Sequence, residues 1–179
     1  NHPEQGLIPP ATFIPIAEEV GLINALGEWI LRSVCCQIRA WEDTAAAGLS
    51  VAVNISSQQL ANPRFGLIVQ QILRESGIAA RQLEFEITET SIMRMESYID
   101  VALRMIRELG ITISLDDFGT GYSSLSHLRR FPIDYLKIDR SFVDEALTNP
   151  DDQAIVSAII GMAQNLGLQV VAEGVETLA

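Results

Sequence analysis

Two cysteines, two histidines and 12 Lys+Arg are set against 23 Asp+Glu in this 179-residue chain, and each shortage closes off a class of function. Cys35 and Cys36 are adjacent within a helical pattern, where a mutual disulfide would be badly strained, so they read as buried thiols. His2 and His127 lie far apart and no Cys-x-x-Cys is present, which leaves a structural zinc site unsupported. Any metal must then be held mainly by oxygen. The net charge of -11 argues against a nucleic-acid polymer as partner, because phosphates need a basic footprint. No window approaches the roughly 18 uncharged apolar residues of a membrane span, and the opening NHPEQGLIPP lacks the basic-then-apolar pattern of a secretion signal. A soluble, cytoplasmic segment without membrane contact of its own is expected, or the cytoplasmic portion of a membrane-anchored protein.

The rest of the composition, 48% hydrophobic and 20% charged, suits a globular protein with a sizeable core. Leu26, Ile30, Val34, Ile38 and Trp41 recur at near-helical spacing and predict a helix over about 24–42. SVAVNIS predicts a strand ending near Asn54, followed by a helix with Phe65, Ile68, Val69, Ile72 and Leu73 on one face and Gly77 as its stop. LEFEIT is a second strand, about 92–109 a helix, ITISLDD a third strand and DYLKID a fourth. A helix over about 151–166, with Ile155, Ile159 and Leu166 inward, leads to LQVVAEG as a fifth strand. Strands alternating with helices imply right-handed crossovers and a parallel sheet.

Polar residues collect where these strands end: Asn54, Glu86, Asp116 with Asp117, Lys137 and Glu173. That edge is the catalytic one in parallel α/β folds. Alternation sharpens the point, since Ile111, Ile113 and Leu115 share one face while Thr112, Ser114 and Asp116 share the other. A doubly wound sheet would want both faces of its central strands apolar. A barrel tolerates polar side chains at its mouth, so a TIM-like (β/α)8 barrel is favoured. Such barrels need about 250 residues, so the barrel should be incomplete in this chain.

Carboxylates converging on one mouth repel by roughly 4 kcal/mol for a pair about 4 Å apart at an effective dielectric of 20, and cations are the natural remedy. Glu86, Asp116, Asp117 and the amide oxygen of Asn54 are hard ligands suited to Mg²⁺ or Mn²⁺. Two ions sharing an aspartate would activate a water and neutralise a phosphate, with Lys137 holding the phosphate or the water. A single acid at a strand end is more often a helix cap; it is the set on successive strands that points to chemistry. Gly119-Thr120-Gly121 has neither the spacing of a dinucleotide fingerprint nor the lysine of a phosphate loop, and reads as a tight loop before a helix capped by Ser123 or Ser124. His127 has no serine and aspartate arranged about it, which gives a hydrolase triad little support. On fold logic alone, a Mg²⁺-dependent lyase or a Schiff-base aldolase using Lys137 stays open.

FIPIAEEVGLI, VNISSQQL, EFEITET, LDDFGTGYSSL, LKIDRSFV and VVAEGVET resemble, in order and approximate spacing, the motifs of the EAL domains, phosphodiesterases that act on cyclic di-GMP. The resemblance implies an α/β fold of the TIM-like kind, two Mg²⁺ or Mn²⁺ ions, and cleavage of cyclic di-GMP to linear pGpG. Asn54, Glu86 and Asp116 then look like metal ligands, and Asp117 like the ligand of the second ion. Lys137 resembles the lysine that positions the attacking water, and Glu173 the metal-water partner or general base. Asp139 and Glu176 look like supporting residues of the same catalytic mouth. Glu89 resembles the acid that braces the Asp-Asp-Phe-Gly loop, which in this family couples dimer contacts to metal binding. The family's Glu-Ala-Leu is expected upstream of Asn1 and a Gln-Gly-Tyr segment downstream of Ala179, so residues 1–179 are expected to be an EAL domain truncated at both ends. A homodimer, and fusion to GGDEF-type or sensory modules, also follow from the resemblance. The rival reading is a non-catalytic cyclic di-GMP receptor, against which the retained ligand set weighs.

Overall fold

The computed structural model describes residues 2–93, 96–119, 125–146 and 148–175. In chain order the elements are α1 (Pro10–Glu19), α2 (Ile23–Ala40), β1 (Val51–Asn54), α3 (Ser57–Ala61), α4 (Phe65–Ser76), a 3-10 turn, β2 (Leu83–Thr88), α5 (Glu89–Met93), α6 (Glu96–Glu108), β3 (Thr112–Phe118), α7 (Leu125–Arg130), β4 (Tyr135–Ile138), α8 (Arg140–Glu145), α9 (Pro150–Leu166) and β5 (Gln169–Ala172). The strands form one parallel sheet in the order β1-β2-β3-β4-β5. Because neighbours in sequence are neighbours in the sheet, crossovers of the usual right hand all return on the same side, which is how a barrel wall is wound.

Burial follows that winding. Val53, Phe85, Ile87, Ile113, Leu115, Leu136 and Ile138 point to the helices and are buried. Asn54, Glu86, Asp116, Tyr135 and Lys137 occupy the other face and keep some contact with solvent. Ser114 is the exception on that face, fully buried with its hydroxyl toward the Phe85 carbonyl. On the helix side, Ile99, Leu103 and Ile106 of α6 are completely covered, and Phe65 meets Phe85 with ring centroids 6.1 Å apart. Each such side chain contributes about 2 kcal/mol by burial.

Several details differ from the sequence reading. In α2 the most buried positions are Ile23, Gly27, Leu31, Cys35 and Ile38; Leu26, Ile30 and Val34 form an adjacent stripe lining a cavity of about 460 Å³ between α1, α2 and β1. Cys35 is buried, and burial pushes its thiol pKa up, but Cys36 is exposed, since consecutive helical residues sit about 100° apart and cannot both face the core. In α9 the inward residues are Ile159 and Ala163, whereas Ile155 and Leu166 are more than a third exposed. Helices α1, α3 and α8 escape apolar periodicity. The first buries none of its residues, and the other two are too short to show a repeat. The proposed caps Ser123 and Ser124 lie outside the described residues.

Candidate metal centre at the strand ends

The mouth of the sheet is built by register. Asn54 stands beside Glu86, Glu86 beside Ser114, and Thr88 beside Asp116. Parallel partners share a face, so these side chains emerge side by side. Between β3 and β4 the register slips: Leu115 pairs with Leu136, but Phe118 pairs with Ile138. Asp116 and Asp117 therefore oppose the single residue Lys137, which is a β-bulge. Asp117 also has φ 55°, the left-handed region that aspartate tolerates better than most residues. Simple alternation would send Asp117 to the helix side. The bulge and the left-handed turn bring it back to the mouth, where oxygens of Asp116, Asp117 and Glu173 lie within 4.8 Å of one another.

Lys137 is the hub. Its Nζ donates to Glu86 Oε1 at 2.8 Å and lies 3.1 Å from Asp116 Oδ1 and 2.5 Å from Glu173 Oε1. Burial works against its charge, but the hydrogen bonds it donates to Glu173, Glu86 and Asp116 outweigh it and hold the amine protonated above the usual lysine value. An ammonium engaged in this way is unsuited to Schiff-base attack. Asn54 Nδ2 donates to the other oxygen of Glu86 at 3.0 Å, which leaves the amide oxygen free to ligate. Burial, then the charges of Asp116, Asp139 and Glu173, push the Asp117 carboxyl pKa up against the opposing pull of Lys137. One cation thus faces several carboxylates, a hard-oxygen donor set that fits a divalent ion of the Mg²⁺ type.

The remaining residues sit around this cluster. Glu89, the first residue of α5, is buried and accepts the Gly119 N–H at 3.3 Å, tying α5 to the turn after β3. Asp139 caps α8: its carboxylate accepts the Ser141 N–H at 3.0 Å and the Ser141 hydroxyl, and these bonds hold its pKa below the usual range. Glu176 lies outside the described residues. Sequence reading missed α8 itself, although an aspartate with a serine two residues on is a capping signal. The capping box of Ser56 and Gln59 at α3 was equally open to reading.

A singly wound parallel sheet with a carboxylate cluster at the C-terminal ends of its strands defines a barrel-type α/β protein whose acidic mouth could hold a metal ion. More narrowly, the whole chain, residues 1–179, matches the EAL domain family, and the protein belongs to it. It is 45% identical over 179 residues to MucR of Pseudomonas aeruginosa, a bifunctional diguanylate cyclase/cyclic di-GMP phosphodiesterase, matching all of this chain and 26% of that protein. It is 46% identical over 177 residues to the cyclic di-GMP phosphodiesterase NbdA of the same organism, covering 99% of this chain and 23% of NbdA. The chain thus spans about a quarter of the length of these relatives. Among solved structures, the PaMucR phosphodiesterase in complex with c-di-GMP superposes with a TM-score of 0.90 at 45% identity, covering 99% of this chain and 72% of that one. The fold is therefore the TIM-like barrel of EAL domains. No helix among the described residues is long and apolar enough to cross a membrane.

Proposed function

We propose that this chain is the catalytic part of a metal-dependent phosphodiesterase that opens cyclic di-GMP to linear pGpG. The observation that carries the reading is the gathering of Glu86, Asp116, Asp117 and Glu173 around Lys137, in a chain similar to relatives named for this activity. A ligand with two phosphates gains nothing from an acidic surface, so cations must mediate its binding. Asn54, Glu86, Asp116 and Asp117 would hold two Mg²⁺ or Mn²⁺ ions, which would supply Lewis-acid polarisation of a phosphoryl oxygen and acidify a water. Lys137 presents its ammonium to the phosphodiester and orients the attacking water. Glu173, hydrogen-bonded to Lys137, accepts the water's proton as the new P–O bond forms and the P–O3′ bond breaks, and the 3′-oxygen takes a proton from solvent. Asp139 borders the same mouth, Glu176 is kept as a supporting residue on the family resemblance alone, and Glu89 braces the turn after Asp117 through Gly119.

The domain works in the cytoplasm as a homodimer, within a larger signalling protein that also carries GGDEF or sensory modules; the relative MucR, named for both a diguanylate cyclase and a phosphodiesterase activity, supports the larger assembly. The test is chromatographic. The natural full-length protein, incubated with cyclic di-GMP and Mg²⁺ or Mn²⁺, should yield pGpG, and EDTA or Asp116→Asn should abolish the product with the fold intact. Binding of cyclic di-GMP without any product would instead identify a receptor.

A further inference from the structure

A glycine closely follows each arm of the carboxylate cluster: Gly119 after Asp116-Asp117-Phe118, and Gly174 after Glu173. Both hold left-handed backbone, with φ +102° and +78°, and both are covered by side chains of α8. A Cβ on Gly119 would lie 2.9 Å from Cε2 of Phe142. A Cβ on Gly174 would lie 2.5 Å from Cγ and 3.0 Å from Cδ of Arg140. The helix therefore rests on the backbone of the strand ends to either side of β4, the strand that carries Lys137. The Glu173 N–H also donates to the Ile138 carbonyl at 3.2 Å, joining the end of β5 to the residue before the Asp139 cap.

We propose that α8, the helix that Asp139 caps, is the positioning element of the cluster and holds the strand ends on either side of Lys137 in place. Like-charged Asp116, Asp117 and Glu173 tend to separate, and the bulge leaves the end of β3 short of regular ladder bonds. A side chain seated on a bare Cα lets neither partner move without the other. Phe142 and Arg140 belong to one helical turn, so the two strand ends are held at a fixed separation by a single body. Phe142 and Val143 in turn pack on the core, which anchors that body to the barrel wall. The proposal rests on the metal-site reading above.

Two pairs of variants of the natural full-length protein test it, read by Mn²⁺ titration (electron paramagnetic resonance and thermal shift) and by kcat and KM for cyclic di-GMP. Asp139→Asn and Asp139→Ala remove the same charge beside Asp117, but asparagine keeps the helix cap, so Asp139→Ala should weaken Mn²⁺ binding about tenfold more than Asp139→Asn does, the loss typical of an outer-sphere support. Equal losses in the two variants would overturn the proposal by showing that the carboxylate itself is used. In the second pair, Arg140→Ala removes the stem seated on Gly174 and should weaken Mn²⁺ binding, while Arg140→Met, which keeps an unbranched stem and loses only the guanidinium, should stay near wild type. Equal affinities of these two variants would also overturn the proposal. If the wild-type protein shows no Mn²⁺ response, the metal reading itself falls and this inference with it; a normal wild-type response with either failed pattern removes the positioning role alone.

Discussion

The two ends of the barrel wall hold the same kinds of side chain and treat them in opposite ways. At the floor, where strands begin, charges are matched. Arg107 pairs with Asp134 at 2.8 Å and donates to the Pro132 carbonyl, while Asp134 accepts the Ile113 N–H at 3.0 Å. Arg39 likewise donates to the Ser76 carbonyl at the end of α4. At the mouth, Lys137 faces Glu86, Asp116 and Glu173 together, with Asp117 close by. The floor uses charge to fix register; among the described residues the mouth gathers more carboxylates than cations, a set that could bind a metal ion. Stability is the currency of one end and ligand binding of the other.

The comparison breaks most visibly at Lys137. Lys137→Met removes the ammonium that neutralises three carboxylates, two of them largely buried, and should cost about 2 kcal/mol of fold stability, less than a fully buried pair would. Turnover of cyclic di-GMP should fall about 100- to 1000-fold. Mn²⁺ should raise the melting temperature of this variant more than that of the wild type, because the cation replaces the missing charge. Urea unfolding with and without Mn²⁺ measures both effects, and an unchanged midpoint would mean that the mouth is no less compensated than the floor.

At the floor, Asp134→Ala should destabilise by about 2 kcal/mol, since it strands the Ile113 N–H and leaves Arg107 unmatched. Turnover per folded molecule should not change. A variant that folds normally but loses turnover would show that the two ends are coupled.

Asp117→Asn sharpens the contrast by reversing the sign. The Asp117 carboxyl has a folded pKa raised above its unfolded value, so the native state binds its proton more tightly and stability falls as pH rises through that window. Asparagine keeps the left-handed backbone and removes the charge. The metal-free variant should therefore be more stable than the wild type at neutral pH, by about 0.5 kcal/mol after solvent screening, and equal to it in acid. Its Mn²⁺ response should be lost. Equal stability at all pH values would remove Asp117 from the repelling set.

These residues also mark what could be read from the sequence. Alternation along β3 and β4 placed Asp116 and Lys137 on one face correctly, because period-two strands leave a direct imprint. It could not place Asp117, whose return to the mouth depends on a bulge and a positive φ that no periodicity encodes. Asp139 shows a different ambiguity: an acid at a strand end can be a ligand or the cap of the next helix, and the sequence marks it as a possible cap without deciding between the two. In α2 the predicted stripe lies at the edge of the most covered one: Ile38 is buried, while Ile30 and Val34 are half-buried, packed against the core and also lining the cavity.

The smallest expected effect concerns Arg32 and Glu75, which bridge α2 and α4 at 2.5 Å on the exposed outside of the wall. Hydrogen bonds from Arg32, then Gln71, hold the Glu75 carboxyl below the usual carboxylate range. A depressed carboxylate contributes stability above its unfolded pKa of about 4.3 and loses it as pH falls through the folded value. Arg32→Gln should thus melt slightly below the wild type at neutral pH and low salt, and the two curves should merge in acid and again at about 1 M salt, where the Debye length is about 3 Å. Full exposure keeps the gap small. A gap that survived acid and salt would belong to the packing of the arginine stem. One that closes in both shows that a matched surface pair adds little, so the large responses at Lys137 come from its unmatched surroundings.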